Sequence, residues 1–331
     1  MKKIYIHIGP NKTGSTTIQK SLFQNEELLN QNGFYIPKTG IINNEEAKHN
    51  YLEWELRGKK KYSRNGAWND LLGEIQLTNA DKIIISNENF YRLTHEEMNR
   101  IKSYLEKYKI IIVFYARRQD KRFQSLWAQR VKNPSHKKED KSFVEWLETY
   151  DFQYDSFDYY DLYKKWGAVF GEENVLIRVV EKGQLQGTLF EDFLAAIGAE
   201  NPQMYKTSID MNVSPGIKTL SVIKEYKRGL GKKISENALQ QIITIIKEYG
   251  DTKGWNREKW NVVSKELYDR IMRNYADSNN KLALEYFHRE QLFLETYEDE
   301  SNDISIDKVP SDELLELNSL IIENLLLEYS A

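Results

Sequence analysis

Cysteine is absent from all 331 residues. A disulfide framework and thiolate chemistry are therefore excluded, and a reducing compartment suits the chain. No apolar run approaches the length of a membrane span. An excess of one charge is lacking too: 47 basic residues against 50 acidic ones leave a formal net charge of −3, so nothing global points to nucleic acid. Met1-Lys2-Lys3 resembles the basic start of a leader, but the apolar stretch after it stops at Gly9-Pro10. No signal peptide is read, and a cytoplasmic location is expected. Internal repeats and low-complexity linkers are missing, and nothing sets the oligomeric state. The length suits one large α/β domain or two smaller ones.

What is present begins at once. Ile4-Tyr5-Ile6-His7-Ile8 is an alternating apolar run leading into Gly9-Pro10-Asn11-Lys12-Thr13-Gly14-Ser15-Thr16-Thr17. Ile18, Leu22 and Phe23 then mark one side of an amphipathic helix. Strand, glycine-bounded loop and helix turn free backbone N–H groups and a positive dipole end toward an anion. A nucleoside triphosphatase loop reads G-x-x-x-x-G-K-[ST], with Lys after the second Gly. Here Gly9 and Gly14 keep the gap, but Lys12 lies inside it and Ser15 follows Gly14.

A second element is another apolar run, Ile110–Tyr115, which reads as a buried central strand. It ends in Ala116-Arg117-Arg118-Gln119-Asp120-Lys121-Arg122-Phe123-Gln124-Ser125. Arg offers a planar two-pronged fork to phosphate, and a serine hydroxyl on the following helix adds a donor.

Together these two elements resemble the sulfotransferases that use 3′-phosphoadenosine 5′-phosphosulfate (PAPS), in the form found in bacterial members. The resemblance implies that Gly9, Lys12, Thr13, Gly14, Ser15 and Thr16 form the 5′-phosphosulfate loop, and that Arg117 and Ser125 hold the 3′-phosphate, with Arg122 in the family's spacing. Arg118 stays open as an alternative to Arg117. Lys12 is then the catalytic cation at the bridging oxygen. PAPS is the expected co-substrate, adenosine 3′,5′-bisphosphate the product, and no metal is expected. The acceptor is expected to offer a hydroxyl or an amine on a carbohydrate or other small molecule. Its identity is not readable.

Strand-like runs at Ile4–Ile8, Ile83–Ile85, Ile110–Tyr115 and Val175–Val180 alternate with helical periodicity. This predicts an α/β core of three layers with a central parallel sheet, similar to P-loop folds, over residues 1–214. From 215 to 331 long helical patterns dominate, and a helical C-terminal subdomain is expected. In parallel sheets ligands bind beyond the carboxyl ends of the strands. The glycine loop, Ser86-Asn87-Glu88 and Arg117 should therefore converge.

An acceptor hydroxyl needs a base. Glu88, just past the Ile83–Ile85 strand, is the first candidate, and His49 in Lys48-His49-Asn50 the second. A plain reading of Glu88 is a helix cap or a lysine partner. The other functional readings are a nucleotide kinase or NTPase with a variant loop, and a nucleotide-binding module without catalysis. Against the first stand the displaced lysine and the lack of an Asp after Ile83–Ile85. Against the second stands the retention of Lys12 with Arg117 and Ser125.

Overall fold

The computed structural model describes residues 1–42, 45–59, 66–150, 157–208, 215–257, 260–298, 306 and 309–329. The chain divides into two compact units. One comprises Met1–Arg118, Phe152–Asp210 and Asn274–Thr296, the other Gln119–Asp151, Met211–Arg273 and Tyr297–Ala331. Each unit therefore draws on distant parts of the chain. The boundary expected at 214/215 falls at the edge of residues 209–214, which lie outside the described residues.

The first unit is built on a parallel sheet of β1 (Lys3–His7), β2 (Phe34–Tyr35), β3 (Lys82–Ser86), β4 (Lys109–Ala116) and β5 (Val175–Val179), in the order β2-β3-β1-β4-β5. β1 is central, with Ile4 level with Ile83 on one side and with Ile110 on the other. Side chains alternate between faces along each strand. Ile4, Ile6, Ile83, Ile85, Ile112 and Phe114 face one core, which the helices Asn50–Leu56, Ala67–Leu77, His95–Tyr104 and Tyr159–Phe170 cover. Tyr5, Ile84, Val113 and Tyr115 face another, covered by Ser15–Gln24 and Leu189–Ala196. Each fully buried isoleucine contributes about 1.5–3 kcal/mol. Three of the five strands are buried on both faces, which is why they read as continuous apolar runs. The α/β class with a parallel sheet flanked by helices holds. β2 has only two residues and carries no sequence signal.

The strand order fixes where a ligand would sit. From β1 the chain moves outward to β2, on one side of the sheet. From β4 it moves outward to β5, on the other. The connections part company between the carboxyl ends of β1 and β4, a topological switch point.

The second unit is helical in its described residues: Gln119–Lys132, Phe143–Glu148, Ile217–Leu230, Glu236–Thr252, Lys265–Asn274 and Ser311–Tyr329. Lys227 is buried there, and its ammonium donates to the carbonyls of Arg130, Asn133 and His136 at 2.9, 2.8 and 3.1 Å. Among the described residues no helix is long and apolar enough to cross a membrane.

Candidate functional site

The loop after β1 turns on three residues with positive φ: Gly9 at 92°, Lys12 at 65° and Gly14 at 91°. Gly9 is required twice over. A Cβ there would lie 2.6 Å from the carbonyl oxygen of Glu88, so the loop and the end of β3 touch backbone to backbone. The carbonyl of Pro10 organises the turn, accepting from Thr13 Oγ1 at 2.6 Å and from Ser15 Oγ at 3.3 Å. Both hydroxyl protons are thus spent inside the loop. The helix Ser15–Gln24 starts at Gly14, which has no side chain to accept from the first-turn N–H groups. Thr16 is exposed and Lys12 half-buried at this end. Alternating handedness in a short loop points successive N–H groups into one concavity, a geometry that suits an anion.

β4 ends beside it. Arg117 donates from Nη1 to the carbonyl oxygen of Lys12 at 3.0 Å. The Tyr159 hydroxyl donates to the Arg117 carbonyl at 2.6 Å and accepts from its N–H at 3.1 Å, fixing this backbone. Arg118 goes elsewhere: only 3% exposed, it donates to the carbonyls of Glu295 and Thr296 at 2.8 and 3.4 Å. The two arginines left open by the sequence thus have different neighbours, and the loop's is Arg117. Arg122 and Ser125 lie three residues apart on Gln119–Lys132, in the second unit, with Arg122 fully buried.

β3 ends in Ser86, followed by Asn87 and Glu88. Asn87 is fully buried, and its amide donates to the His49 carbonyl at 3.1 Å and to Asn50 Oδ1 at 3.2 Å. Glu88 keeps about a fifth of its side chain exposed and pairs with Lys48, Nζ to Oε1, at 2.6 Å. Gln19 Nε2 donates to the other carboxylate oxygen at 3.1 Å. Burial pushes this carboxyl up, but the Lys48 charge and the hydrogen bonds from Lys48 and Gln19 outweigh it, holding Glu88 below its usual value. Gln19 also donates to Ser86 Oγ at 3.1 Å, and Ser86 Oγ lies 2.8 Å from His7 Nδ1.

His49 is not an open base in this arrangement. It is fully buried, and both ring nitrogens meet backbone: Nδ1 lies 3.2 Å from both the carbonyl oxygen and the N–H of Ser86, and Nε2 lies 3.0 Å from the Pro37 carbonyl. Burial pushes its pKa down to about 4, although the nearby carbonyls of Ser86 and Pro37 favour the charged ring. His49 instead pins the segment that delivers Lys48 to Glu88. His7 is likewise fully buried and lowered to about 4 by burial.

Sequence reasoning missed Lys48, Gln19 and Tyr159. A polar Gln19 between the apolar positions Ile18 and Leu22 was the one available signal. Among the described residues no three His, Asp or Glu side chains gather as a metal site requires.

No family model matches this chain. An uncharacterized protein of Archaeoglobus fulgidus is 24% identical over 213 residues, which cover 64% of this chain and 55% of that protein. The match thus spans about half the length of that relative. Among solved structures, a sulfotransferase from Alicyclobacillus acidocaldarius aligns with a TM-score of 0.42 at 15% identity, over 72% of this chain and 98% of its own.

Proposed function

We propose that this chain is a sulfotransferase that moves a sulfuryl group from PAPS to a hydroxyl or amine of an acceptor, a carbohydrate or other small molecule. The observation that carries this reading is the pairing of Lys12 with Arg117 at the switch point. The cation sits inside the loop, and the arginine at the end of β4 is seated on that residue's own carbonyl. A phosphate bound by the loop's N–H groups and a second phosphate met by the Arg117 fork are the demands of a 3′,5′-bisphosphorylated nucleotide.

Sulfuryl transfer resembles phosphoryl transfer: catalysis is positioning and charge stabilisation around an in-line displacement. The N–H groups of residues 12–16 hold the 5′-phosphate. Lys12 stabilises the charge that develops on the bridging oxygen as its bond to sulfur breaks. The acceptor oxygen or nitrogen forms the new bond to sulfur, Glu88 takes the acceptor's proton, and adenosine 3′,5′-bisphosphate leaves. Because the Thr13 and Ser15 hydroxyls serve Pro10, their contribution to the phosphate comes from their backbone N–H groups.

Calorimetric titration of the metal-free protein with adenosine 3′,5′-bisphosphate, beside ATP with magnesium, tests the reading. Tight binding of the bisphosphate with little binding of ATP is expected. Preference for magnesium ATP would replace the proposal with a kinase or NTPase.

A further inference from the structure

The Glu88 carboxylate is gripped from two directions. Lys48 meets Oε1 at 2.6 Å, and Gln19 meets Oε2 at 3.1 Å. The two arms come from different parts of the fold. Gln19 belongs to the helix Ser15–Gln24, whose first turn closes the glycine loop. Lys48 belongs to a segment stitched between that helix and β3: Ala47 N–H donates to the Gln19 carbonyl at 3.0 Å, and His49 N–H to the Ser86 carbonyl at 2.9 Å. Behind Gln19 the chain of contacts continues through Ser86 to the buried ring of His7.

We propose that Lys48 and Gln19 are positioning residues that act as a two-armed clamp on Glu88, tying the proton acceptor of the reaction to the helix that carries the donor loop. This rests on the sulfotransferase reading and adds to it the residues that set the base. Neither arm touches the reacting atoms.

A largely buried carboxylate without partners would take up a proton rather than stay charged. A lone lysine would supply charge but no direction, because an ammonium on four methylenes rotates freely. An amide on a rigid helix supplies direction but little charge. Together they hold a carboxylate that is both ionised and oriented. When Glu88 takes the acceptor's proton its negative charge is lost, so the Lys48 pairing weakens as the proton arrives and resists protonation at rest. Glu88 faces Gln19 from the helix, Lys48 and the carboxyl of Glu46 from the crossing segment, and His7 from β1, with Lys20 adding charge beside Glu46.

The test is direct titration of the Glu88 carboxyl by carbon NMR on the full chain, with Glu88→Gln assigning the resonance. The wild-type midpoint should lie below the ordinary glutamate value of about 4.3. In Lys48→Met it should rise by about one to three units, and in Lys48→Arg it should return toward wild type. Gln19→Leu should raise it by a smaller amount, and this keeps the test open should Lys48→Met fold poorly. The acid limb of the kcat profile should move with the midpoint, while the affinity for adenosine 3′,5′-bisphosphate stays within about twofold. A Glu88 midpoint that neither Lys48→Met nor Gln19→Leu moves would overturn the clamp. A wild-type chain that binds no bisphosphate would overturn the donor reading instead, and the carboxyl titration would still decide the clamp.

Discussion

Arg117 reaches across 105 residues of sequence to donate from Nη1 to the carbonyl oxygen of Lys12 at 3.0 Å. The end of one central strand thus holds the loop of its neighbour, and a single side chain joins the glycine loop to the end of β4. Arg117→Ala should weaken binding of adenosine 3′,5′-bisphosphate by about 10- to 100-fold, the loss of one charged hydrogen-bond donor. Adenosine 5′-phosphosulfate, which lacks the 3′-phosphate, should lose much less. Equal losses in calorimetry would show that Arg117 supports the loop and does not meet the 3′-phosphate.

Lys12 combines a charge with a left-handed backbone, φ 65°. The two can be separated. Lys12→Ala should cut turnover by at least about 100-fold, in line with the loss of one preorganised charge at the breaking bond. Lys12→Gly should be equally inactive, yet unfold at or near the wild-type temperature, because glycine accepts positive φ without cost. Near-normal turnover in either variant would remove Lys12 from the chemistry.

His7 and His49 make the first unit sensitive to acid. Both are buried neutral and held down to about 4. In the unfolded chain they titrate near 6.5, so between pH 6.5 and 4 the unfolded state binds more protons. Stability should therefore be full above pH 6.5 and fall as the pH drops toward 4, by about 3 kcal/mol for each ring. Urea unfolding at pH 7 and pH 4.5 measures this, and His49→Gln should show a visibly shallower decline. An unchanged slope would mean that His49 is not buried in its neutral form.

Gly9→Ala should damage the site more than its size suggests. The new methyl would meet the Glu88 backbone at 2.6 Å, with φ at 92°. The end of β3 would have to move, at a cost of about 2 kcal/mol or more. Loss of bisphosphate affinity with only a modest fall in melting temperature is the expected pattern. A fully active variant would show that β1 and β3 do not set the loop.

Lys227 offers a contrasting case. Lys227 opens the basic pair Lys227-Arg228, but its ammonium is committed to three carbonyls, and burial lowers it to about 8. Lys227→Met should cost about 2–4 kcal/mol, because the carbonyls lose their donor. Bisphosphate affinity should not change.

The sheet, the glycine loop and the arginine at the end of β4 were legible because their signals are local. Apolar runs, glycines at fixed offsets and a strand-terminal Arg all lie within a dozen residues. That the strands run parallel then follows from their alternation with helices. The surroundings of Glu88 were not legible. Lys48 meets it only because residues 46–49 cross from the first helix to β3, which no spacing in the sequence encodes. His49 looked like an acceptor-side base because a lone histidine carries no sign of its burial. The separation of Arg117 from Arg118 depends on carbonyls at Glu295 and Thr296, 177 and 178 residues from Arg118. The start of the helix Ala276–Glu285 carries little apolar signal, because Ser278, Asn279 and Asn280 occupy its first turns.

The central place of β1 has a consequence for how the chain is made. Lys3–His7 is made before both of its partners, Lys82–Ser86 and Lys109–Ala116. A strand of five residues must therefore wait for roughly eighty more before β3 can pair with one edge, for roughly a hundred before β4 can pair with the other, and longer still for the covering helix Tyr159–Phe170. Such non-local pairing slows folding and leaves a sticky segment uncovered during synthesis. The glycine loop after β1 is also the tether of this waiting strand. Substitutions that weaken it should lower soluble yield on expression before they alter the stability of molecules that have already folded.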